Sequence, residues 1–249
     1  MYKRFLYSLL TFLSPNFDNY ISKKFSQSNN LKIVDVGFYK GNFSKSIISK
    51  VLKLNPSIRI KLYSFDPNYN INLNKFMNFQ KSNKFLWFHH NEALGYEKKK
   101  ETFTILNAFP SSGSSIENIL ENSLWYKTRK FMLDPFGRNT SQTSVIDVDV
   151  NTLDNLFSEE RDVDVLKIDV EGFSYQVLIG AKEFLMINSP ILQVEILAKK
   201  FEFNKKEIEI IDYLTSIDYK LVSKKKHYTT HIFSDVVCVD YLFENDKVT

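Results

Sequence analysis

A regular alternation between short apolar runs and helical periodicity constrains the fold of this chain most strongly, and it begins near residue 31. LKIVDV is a short run rich in β-branched side chains, which is typical of a buried strand. Apolar residues then recur at helical spacing and end before Pro56. They are Phe43, Ile47, Ile48, Val51 and Leu52. The first unit is therefore predicted to be a strand followed by a helix.

The same cycle recurs along the rest of the chain. Further predicted strands are IRIKLYSFD, KFLWFHH, ETFTIL, VIDVDV, VDVLKIDV and ILQVEI, and one helix is predicted over Val177 to Leu185. The last two predicted strands, YKLVS and HIFSDVVCVDYLF, follow one another like a hairpin, which places an antiparallel strand at one side. This alternation predicts an α/β fold with a doubly wound, mostly parallel sheet.

The length of 249 residues fits one α/β domain. Residues 31–249 are predicted to form that domain, and residues 1–30 a helical extension before it. The segment at about 111–142 contains aromatic residues and a Pro-Phe-Gly turn but has no clean period. It is interpreted as an insertion in which a lid or substrate-facing residues would lie.

Charge and cysteine content argue against several classes of function. The 33 basic and 29 acidic residues give a net charge of +4, an imbalance too mild and too scattered to predict a nucleic-acid partner. The single cysteine, Cys238, excludes an internal disulfide framework and a zinc site built from cysteines. A reducing cytoplasm is therefore the expected compartment.

The N-terminal segment MYKRFLYSLLTFLSP has a basic start and an apolar stretch from Phe5 to Leu13. It lacks a small-residue cleavage site, and the stretch is shorter than the roughly 20 residues that span a bilayer. Residues 1–13 are therefore predicted to form an amphipathic helix, in preference to a cleaved signal peptide. This helix would pack on the domain or make peripheral contact with a membrane surface.

The turn after the first strand, IVDVGFYKGNFS, is the first candidate binding site. Gly37 and Gly41 let the backbone approach a ligand, and the following helix offers free N–H groups. The turn lacks the GxGxxG spacing of a dinucleotide site, and no P-loop lysine follows. A nucleoside ligand without a pyrophosphate remains, and Asp66, which ends the second strand, can accept hydrogen bonds from ribose hydroxyls.

Several motifs resemble the FkbM-type methyltransferases, which use S-adenosylmethionine (SAM). They are IVDVGFYKGNFS, FDP, NEALG, SSGSSI, VNTLDNLF, LKIDVEGFSYQVLIGA and ILQVEI, in this order over about residues 31–240. The resemblance implies a Rossmann-like class I methyltransferase fold with a seven-stranded sheet, one antiparallel strand and helices on both faces.

The resemblance also assigns cofactor contacts to residues of this chain. Asp35, Gly37 and Gly41 would hold the methionine part of SAM, and Asp66 its ribose. The segment Asn91, Glu92 and Ala93 would lie near the adenine. The family commonly has Ala-Asn after the first glycine and Glu before the proline, whereas Phe38-Tyr39 and Asp66 stand here. Phe38 is expected either to shape the cofactor pocket or to point into the core.

The family resemblance further implies transfer of the methyl group to a hydroxyl of a sugar, a glycan or a natural-product-like small molecule. A hydroxyl acceptor must lose its proton to a base or become more acidic on a metal. Asp169 and Glu171 of KIDVEG, together with Lys167, are the catalytic candidates, and Asp169 would border the methyl group. Asp169 and Glu195 are also candidate Mg²⁺ ligands. The alternative to these roles of Asp169 and Glu195 is a structural salt bridge at the strand end, with Lys167 as the partner.

Two other functions stay open at this point. Asp-Val-Asp occurs at 147–149 and at 162–164, and this motif binds metal and sugar nucleotide in some glycosyltransferases. Both copies precede or begin a predicted strand or helix, which favours a role in chain topology. A non-catalytic methyltransferase-like module is the third hypothesis, and Phe38 is the reason for it.

Overall fold

Strands and helices alternate through most of the chain in the computed structural model, which describes residues 17–106, 143–226 and 235–245. The helices are α1 (Phe17–Lys24), α2 (Asn42–Leu54), α3 (Asn74–Asn83), α4 (Leu153–Leu156), α5 (Ser174–Ile179), α6 (Lys182–Asn188) and α7 (Phe203–Ser216). The strands are β1 (Asn30–Val36), β2 (Arg59–Phe65), β3 (Leu86–His90), β4 (Ala93–Leu94), β5 (Lys99–Leu106), β6 (Thr143–Asn151), β7 (Val165–Ile168), β8 (Ile191–Lys199), β9 (Tyr219–Lys226) and β10 (Val236–Asn245).

The central sheet has seven strands in the order β3-β2-β1-β7-β8-β10-β9. The pairs from β3 through β8 are parallel, whereas β10 runs antiparallel to both β8 and β9. This arrangement confirms the predicted seven-stranded, mostly parallel sheet with one antiparallel strand. The strand order reverses between β1 and β7, and ligands of such sheets bind beyond the carboxyl ends of the strands at that point.

Two apolar clusters cover the two faces of the central sheet. Ile33 of β1 and Val165 of β7 belong to the cluster that contains α1 and α2. Val34 and Leu166, the next residue along each strand, belong to the cluster that contains α5, α6 and α7. Successive strand residues point to opposite faces, so helices cover both sides of the sheet. The same alternation places Asp35 and Lys167 on the α2 side.

A second, three-stranded sheet in the order β4-β6-β5 corrects one part of the sequence interpretation. ETFTIL and VIDVDV do form strands, but they pair antiparallel with each other instead of extending the central sheet. Gly95, which follows β4, contacts Gly180, which lies between α5 and α6. A Cβ on Gly180 would lie 1.9 Å from the carbonyl oxygen of Gly95. The predicted helix over Val177 to Leu185 is therefore two helices, with Gly180 between them.

Some predictions fall outside the described residues. The amphipathic helix at residues 1–13, the insertion at 111–142 with its SSGSSI motif, and residues 231–234 of the last predicted strand belong there. Within the predicted N-terminal extension, α1 buries Phe17 and Ile21 against the α2 side of the sheet. Across residues 17–106, 143–226 and 235–245, no helix has the length and apolar character needed to cross a membrane.

Candidate functional site

The turn between β1 and α2 lies at the carboxyl edge of the sheet and needs glycine at two positions. Gly37 has a φ of +76°, and a Cβ there would lie 1.7 Å from the carbonyl oxygen of Asp169. Gly41 has a φ of +71°, and a Cβ there would meet the Phe38 and Phe76 rings at 2.4 and 2.5 Å. L side chains rarely adopt such φ values. Both glycines thus hold the turn against β7 and the core.

Phe38 does not offer its side chain to a ligand. It is 2% exposed, and its ring packs against Phe76, Trp87 and His89 at centroid distances of 4.8, 5.8 and 5.6 Å. Of the two expectations for Phe38, a place in the cofactor pocket is corrected for its side chain, which faces the core. The bulky ring lies outside the turn. Phenylalanine at this position, although it differs from the family pattern, therefore does not occupy the turn.

Tyr39 and Asp66 form a link between the first turn and the end of β2. The backbone N–H of Tyr39 donates to Asp66 Oδ2 at 2.7 Å, and that of Asn68 donates to Asp66 Oδ1 at 2.9 Å. Burial raises the pKa of Asp66 to about 6, although these two hydrogen bonds oppose the rise. Each carboxylate oxygen keeps a further lone pair, so Asp66 can still accept further hydrogen-bond donors.

The sequence interpretation missed the part that Tyr39 plays in this link. Its φ of +49° lies in the left-handed region, which is unfavourable for a bulky side chain. Its ring lies beneath Lys40, whose Nζ is 4.7 Å from the ring centroid. The sequence did contain a signal for this strain. The family commonly has asparagine at this position, and asparagine tolerates the left-handed region better than tyrosine does.

A buried ion-pair network joins β1 and β7 below the turn. Lys167 Nζ lies 3.2 Å from Asp35 Oδ1, 3.3 Å from Asp169 Oδ2 and 2.7 Å from the Gly37 carbonyl oxygen. Asp35 is fully buried and accepts a hydrogen bond from Ser44 Oγ of α2 at 2.6 Å. Burial raises the pKa of Asp35, against the attraction of Lys167.

The environment of Lys167 does not favour the catalytic role that was predicted for it. Its side chain is 6% exposed and engages the carboxylates on both sides. Burial alone would lower the pKa of Lys167, but the charges of Asp169 and Asp35 raise it above the usual value. A lysine held in this way stays protonated and is a poor base. The observed ion pairs of Lys167 match the salt-bridged strand end that is the alternative to its predicted catalytic role.

Three carboxylates meet beside the turn, at the ends of β7 and in β8. Ile168 pairs with Val194, so Asp169 and Glu195 lie side by side at the next step along the two strands. One oxygen from each of Asp169, Glu171 and Glu195 lies within 4.8 Å of the others. Glu171 has a φ of +51° and precedes Gly172 at +104°. The sharp turn after β7 therefore brings Glu171 back toward the other two acids.

Glu195 is the buried member of these three carboxylates. It is 8% exposed, its Oε1 accepts from the Cys238 thiol at 2.9 Å, and its Oε2 has no hydrogen-bond partner among the described residues. Burial and the neighbouring charges of Asp169, Glu171 and Asp240 raise the pKa of Glu195 well above the usual value. Cys238 of the antiparallel strand was not predicted to touch the site.

The segment after β3 shows a different environment for each predicted adenine contact. Asn91 is exposed, whereas Ala93 is buried in β4. Glu92 Oε2 accepts from the Asn151 amide at 3.2 Å, and Glu92 Oε1 lies 3.5 Å from His90 Nδ1. Glu92 thus ties the end of β3 to the end of β6, and Asn91 is the member most open to a ligand.

The two Asp-Val-Asp motifs lie away from the carboxylate cluster. Asp147 and Asp149 are exposed on one face of the β5–β6 pair, opposite Thr102 and Lys100. Asp164 lies at the amino end of β7, where its Oδ2 accepts the backbone N–H of Lys32 at 2.7 Å. The positions of both motifs support the topological interpretation over a sugar-nucleotide site.

The fold and the position of the site define a Rossmann-like methyltransferase architecture, with a glycine turn and strand-end acids at the carboxyl edge of a sheet whose last strand is antiparallel. The model of the methyltransferase FkbM domain family matches residues 35–221. The chain belongs to this family. No curated protein sequence matches the chain.

Several solved structures resemble the chain at low identity. Methyltransferase FkbM from Methylobacillus flagellatus KT is 15% identical with a TM-score of 0.48, over 86% of this chain and 44% of that protein. An rRNA methylase from Streptococcus thermophilus is 9% identical with a TM-score of 0.44, over 92% and 95%. TYW2 from M. jannaschii, in complex with AdoMet, is 13% identical with a TM-score of 0.37, over 94% and 78%. The family assignment rests on the family model, and this chain spans less than half of the M. flagellatus protein.

Proposed function

We propose that the chain is a SAM-dependent O-methyltransferase that acts on a hydroxyl of a sugar, a glycan or a natural-product-like small molecule. The observation that carries the proposal is the cluster of Asp169, Glu171 and Glu195 directly beside the glycine turn. In this proposal the three carboxylates are proton acceptors beside a SAM molecule bound at the turn, and membership in the methyltransferase FkbM domain family supports it. When bound, SAM supplies a methyl group on a positively charged sulfonium that a nucleophilic oxygen can attack.

The residues around the turn fit such a cofactor. Asp66 retains acceptor capacity for the ribose hydroxyls beyond its two backbone hydrogen bonds. The first N–H groups of α2 have no acceptor within their helix and are oriented toward the turn. Gly37 would border the methionine part, and the buried Asp35 would hold the turn from below. The side chain of Asn91, together with the backbone of Glu92 and Ala93, would contact the adenine.

Asp169 is the proposed base, and Glu171 assists it. One oxygen of Asp169 is held by Lys167, and its side chain is 35% exposed, so the other oxygen can receive the proton of an acceptor hydroxyl. A base that is fixed within hydrogen-bond reach contributes typically about 10²–10⁴-fold to the rate. Much of the remaining rate enhancement would come from alignment of the two reactants.

We further propose that Asp169 and Glu195 bind Mg²⁺, with Glu171 as an additional ligand. The three oxygens lie within 4.8 Å of one another, and the buried Glu195 Oε2 has no partner among the described residues. Carboxylate oxygens are the ligands that Mg²⁺ prefers. A divalent cation there would relieve the repulsion among the acids and would make an acceptor hydroxyl more acidic.

The proposed partner is a small-molecule or glycan acceptor, and a nucleic-acid acceptor is not part of the proposal. The mild, scattered excess of positive charge supports this choice. A cytoplasmic location is proposed from the single cysteine. Peripheral membrane contact through residues 1–13 is proposed from the apolar stretch, and that segment lies outside the described residues.

Calorimetric titration of the purified chain with SAM, with NAD and UDP-glucose as controls, tests the proposal. We expect selective SAM binding with a dissociation constant in about the micromolar range. Transfer of tritiated methyl from SAM to panels of sugars, glycans, polyketide-like alcohols and RNA then identifies the acceptor class. Label that appears on RNA alone would overturn the acceptor assignment.

Two results of this experiment favour the rival functions. UDP-glucose binding that is lost when Asp147 and Asp149 are replaced by Asn would favour a glycosyltransferase. A folded chain that binds no SAM at millimolar concentration would favour the non-catalytic module. Titration with Mg²⁺, and removal of cations by EDTA, tests the metal, since a turnover that is indifferent to both would contradict a metal-assisted reaction.

A further inference from the structure

Lys167 connects the two halves of the candidate site. Its three contacts with oxygen atoms come from the first turn (Gly37 carbonyl), from β1 (Asp35) and from the end of β7 (Asp169). The ammonium group donates a hydrogen bond to the Gly37 carbonyl oxygen and forms ion pairs with the two carboxylates. The side chain is 6% exposed, and water therefore competes poorly for these contacts. Such a lysine has one well-defined position.

The main chain already brings the same two elements together. The backbone N–H of Asp169 donates to the Val36 carbonyl oxygen at 3.0 Å. Gly37 lies so close to the Asp169 carbonyl that a Cβ on Gly37 would lie 1.7 Å from it. Lys167 adds a charged link between the Gly37 carbonyl and the Asp169 carboxylate. The turn and the carboxylate are thus joined through both backbone and side chain.

We propose that Lys167 is a positioning residue that holds the cofactor turn and the Asp169 carboxylate as one unit. It binds Gly37 and Asp169 and does not itself touch the acceptor. This inference rests on the proposed function, because it assigns the turn to SAM and Asp169 to the methyl side of the site. The consequence is that a change at Lys167 alters both cofactor affinity and the way in which the site responds to the methyl group.

The test uses a variant that removes the link without leaving an unpaired buried charge. Lys167→Met alone would leave the buried Asp35 carboxylate without its cation, and loss of one partner of a buried pair is strongly destabilising. Asp35→Asn combined with Lys167→Met removes both charges and keeps similar side-chain volumes. Lys61→Met is the control, because Lys61 of β2 also bonds a carboxylate, that of Glu160, but does not touch the turn.

The probes are SAM and S-adenosylhomocysteine (SAH), which lacks the methyl group and its charge. For the folded double variant, we expect calorimetry to give affinities for both ligands about tenfold below wild type, the scale of one lost charge-assisted hydrogen bond. Release of Asp169 should also change the ratio of SAM to SAH affinity by about threefold or more. The same double change made in an Asp169→Asn background should leave this ratio unaltered.

The outcomes separate this inference from the proposed function. If wild type binds neither ligand, the methyltransferase proposal fails and the role of Lys167 fails with it. If wild type binds SAM and the folded double variant binds both ligands as wild type does, the role of Lys167 alone is overturned. Equal losses for SAM and SAH, with the same further effect of Asp169→Asn in both backgrounds, would reduce Lys167 to a purely structural residue.

Discussion

The two ends of the central parallel strands differ in how their aspartates are paired. At the amino ends, Asp164 Oδ2 accepts the Lys32 backbone N–H at 2.7 Å, and the Asp164 backbone N–H donates to the Lys32 carbonyl oxygen at 2.9 Å. The acid and the backbone there satisfy each other. At the carboxyl ends, Asp35 and Asp169 share the one cation of Lys167, and the buried Oε2 of Glu195 lacks a partner among the described residues.

A raised pKa does not distinguish these two regions. Burial raises the pKa of Asp66 and of Asp164 alike to about 6. The carboxyl end differs because its excess of carboxylates coincides with two turns in left-handed backbone conformations. Their residues are Gly37, Tyr39, Gly41, Glu171 and Gly172. Strain and unsatisfied polar groups that occur together mark a binding site better than a perturbed acid does alone.

The largest expected effect is on the rate of methyl transfer, which should depend on Asp169 and not on Asp164. Asp169→Asn should lower methyl transfer at saturating SAM by about 100-fold or more, because it removes the proposed base. SAM affinity should fall far less, by about tenfold at most, because the amide keeps the shape of the carboxylate and loses only its charge beside the sulfonium. Transfer of tritiated methyl and calorimetry measure the two effects. Equal losses of affinity and turnover would instead make Asp169 a cofactor residue.

The control for this prediction lies at the other end of the same strand. Asp164→Asn makes the same change at another half-buried aspartate, which does not touch the turn or the carboxylate cluster. We expect its turnover per folded molecule to match wild type. A loss of turnover comparable with that of Asp169→Asn would show that turnover does not depend on contact with the carboxylate cluster, and the contrast between the two regions would fail.

Asp66→Ala should have the second-largest effect, on cofactor affinity. Loss of the ribose acceptor is expected to weaken SAM binding by about ten- to a hundredfold, the range of hydrogen bonds to a charged group. The structure adds a cost in stability of about 1–3 kcal/mol, because the Tyr39 and Asn68 N–H groups lose their acceptor. Calorimetry and urea unfolding measure the two effects.

Asp164→Ala provides the comparison for this second prediction. It also removes an acceptor from a backbone N–H, so the free energy of unfolding should fall. Its SAM affinity should equal that of wild type, because Asp164 lies at the opposite edge of the sheet. If Asp66→Ala binds SAM normally while losing stability, the assignment of Asp66 to the ribose is wrong.

Much of the fold was predictable because periodicity reports which face of an element is buried. The strands, most helices and the antiparallel last strand of the central sheet agree with the pattern. Pairing partners are not encoded in periodicity, so the β5–β6 sheet was not foreseen. The break at Gly180 was hidden for the same reason, since it depends on contact with Gly95, distant in sequence.

The candidate site was predictable in residue type more than in role. Glycines and strand-end acids carry a direct physical meaning in an α/β chain, and the structure brings Asp169, Glu171 and Glu195 together. The orientation of Phe38 was not readable, because it is decided by Phe76, Trp87 and His89 from later elements. Lys167 was ambiguous for a similar reason, since its burial depends on the packing of α2 over the sheet.

The pH dependence of binding should distinguish two acids that have the same pKa. With a pKa raised to about 6, Asp66 is largely protonated at pH 5 and ionised at pH 7. The ionised form accepts ribose hydroxyls better, so SAM affinity should rise across this window by several-fold to about tenfold. Asp66→Asn should remove most of that rise, whereas Asp164→Asn should leave it intact. A flat wild-type profile between pH 5 and 7 would contradict ionisation of Asp66 as the cause.

The same shifts predict the opposite trend in stability. A carboxyl whose folded pKa exceeds its unfolded value binds its proton more tightly in the folded state. The resulting stabilisation is complete below about pH 4 and is lost as the pH rises through about 6. Asp164→Asn should therefore reduce the decline in unfolding free energy between pH 4 and 7. Urea unfolding across this range checks the sign, and an unchanged slope would argue against the shift of Asp164.

The smallest expected effect compares strained residues at the two ends of the sheet. Tyr39 and Asp162 have φ values of +49° and +61°, but aspartate tolerates this conformation better than tyrosine. Tyr39→Asn should raise the free energy of unfolding by about 0.5–1 kcal/mol, after allowance for the lost contact of Lys40 with the ring. Asp162→Asn should change it by only a few tenths of a kcal/mol. SAM affinity of Tyr39→Asn should stay within about twofold of wild type, because its backbone N–H still reaches Asp66. A tenfold loss of SAM affinity would instead show that the Tyr39 side chain is retained, despite its strain, as part of the binding site.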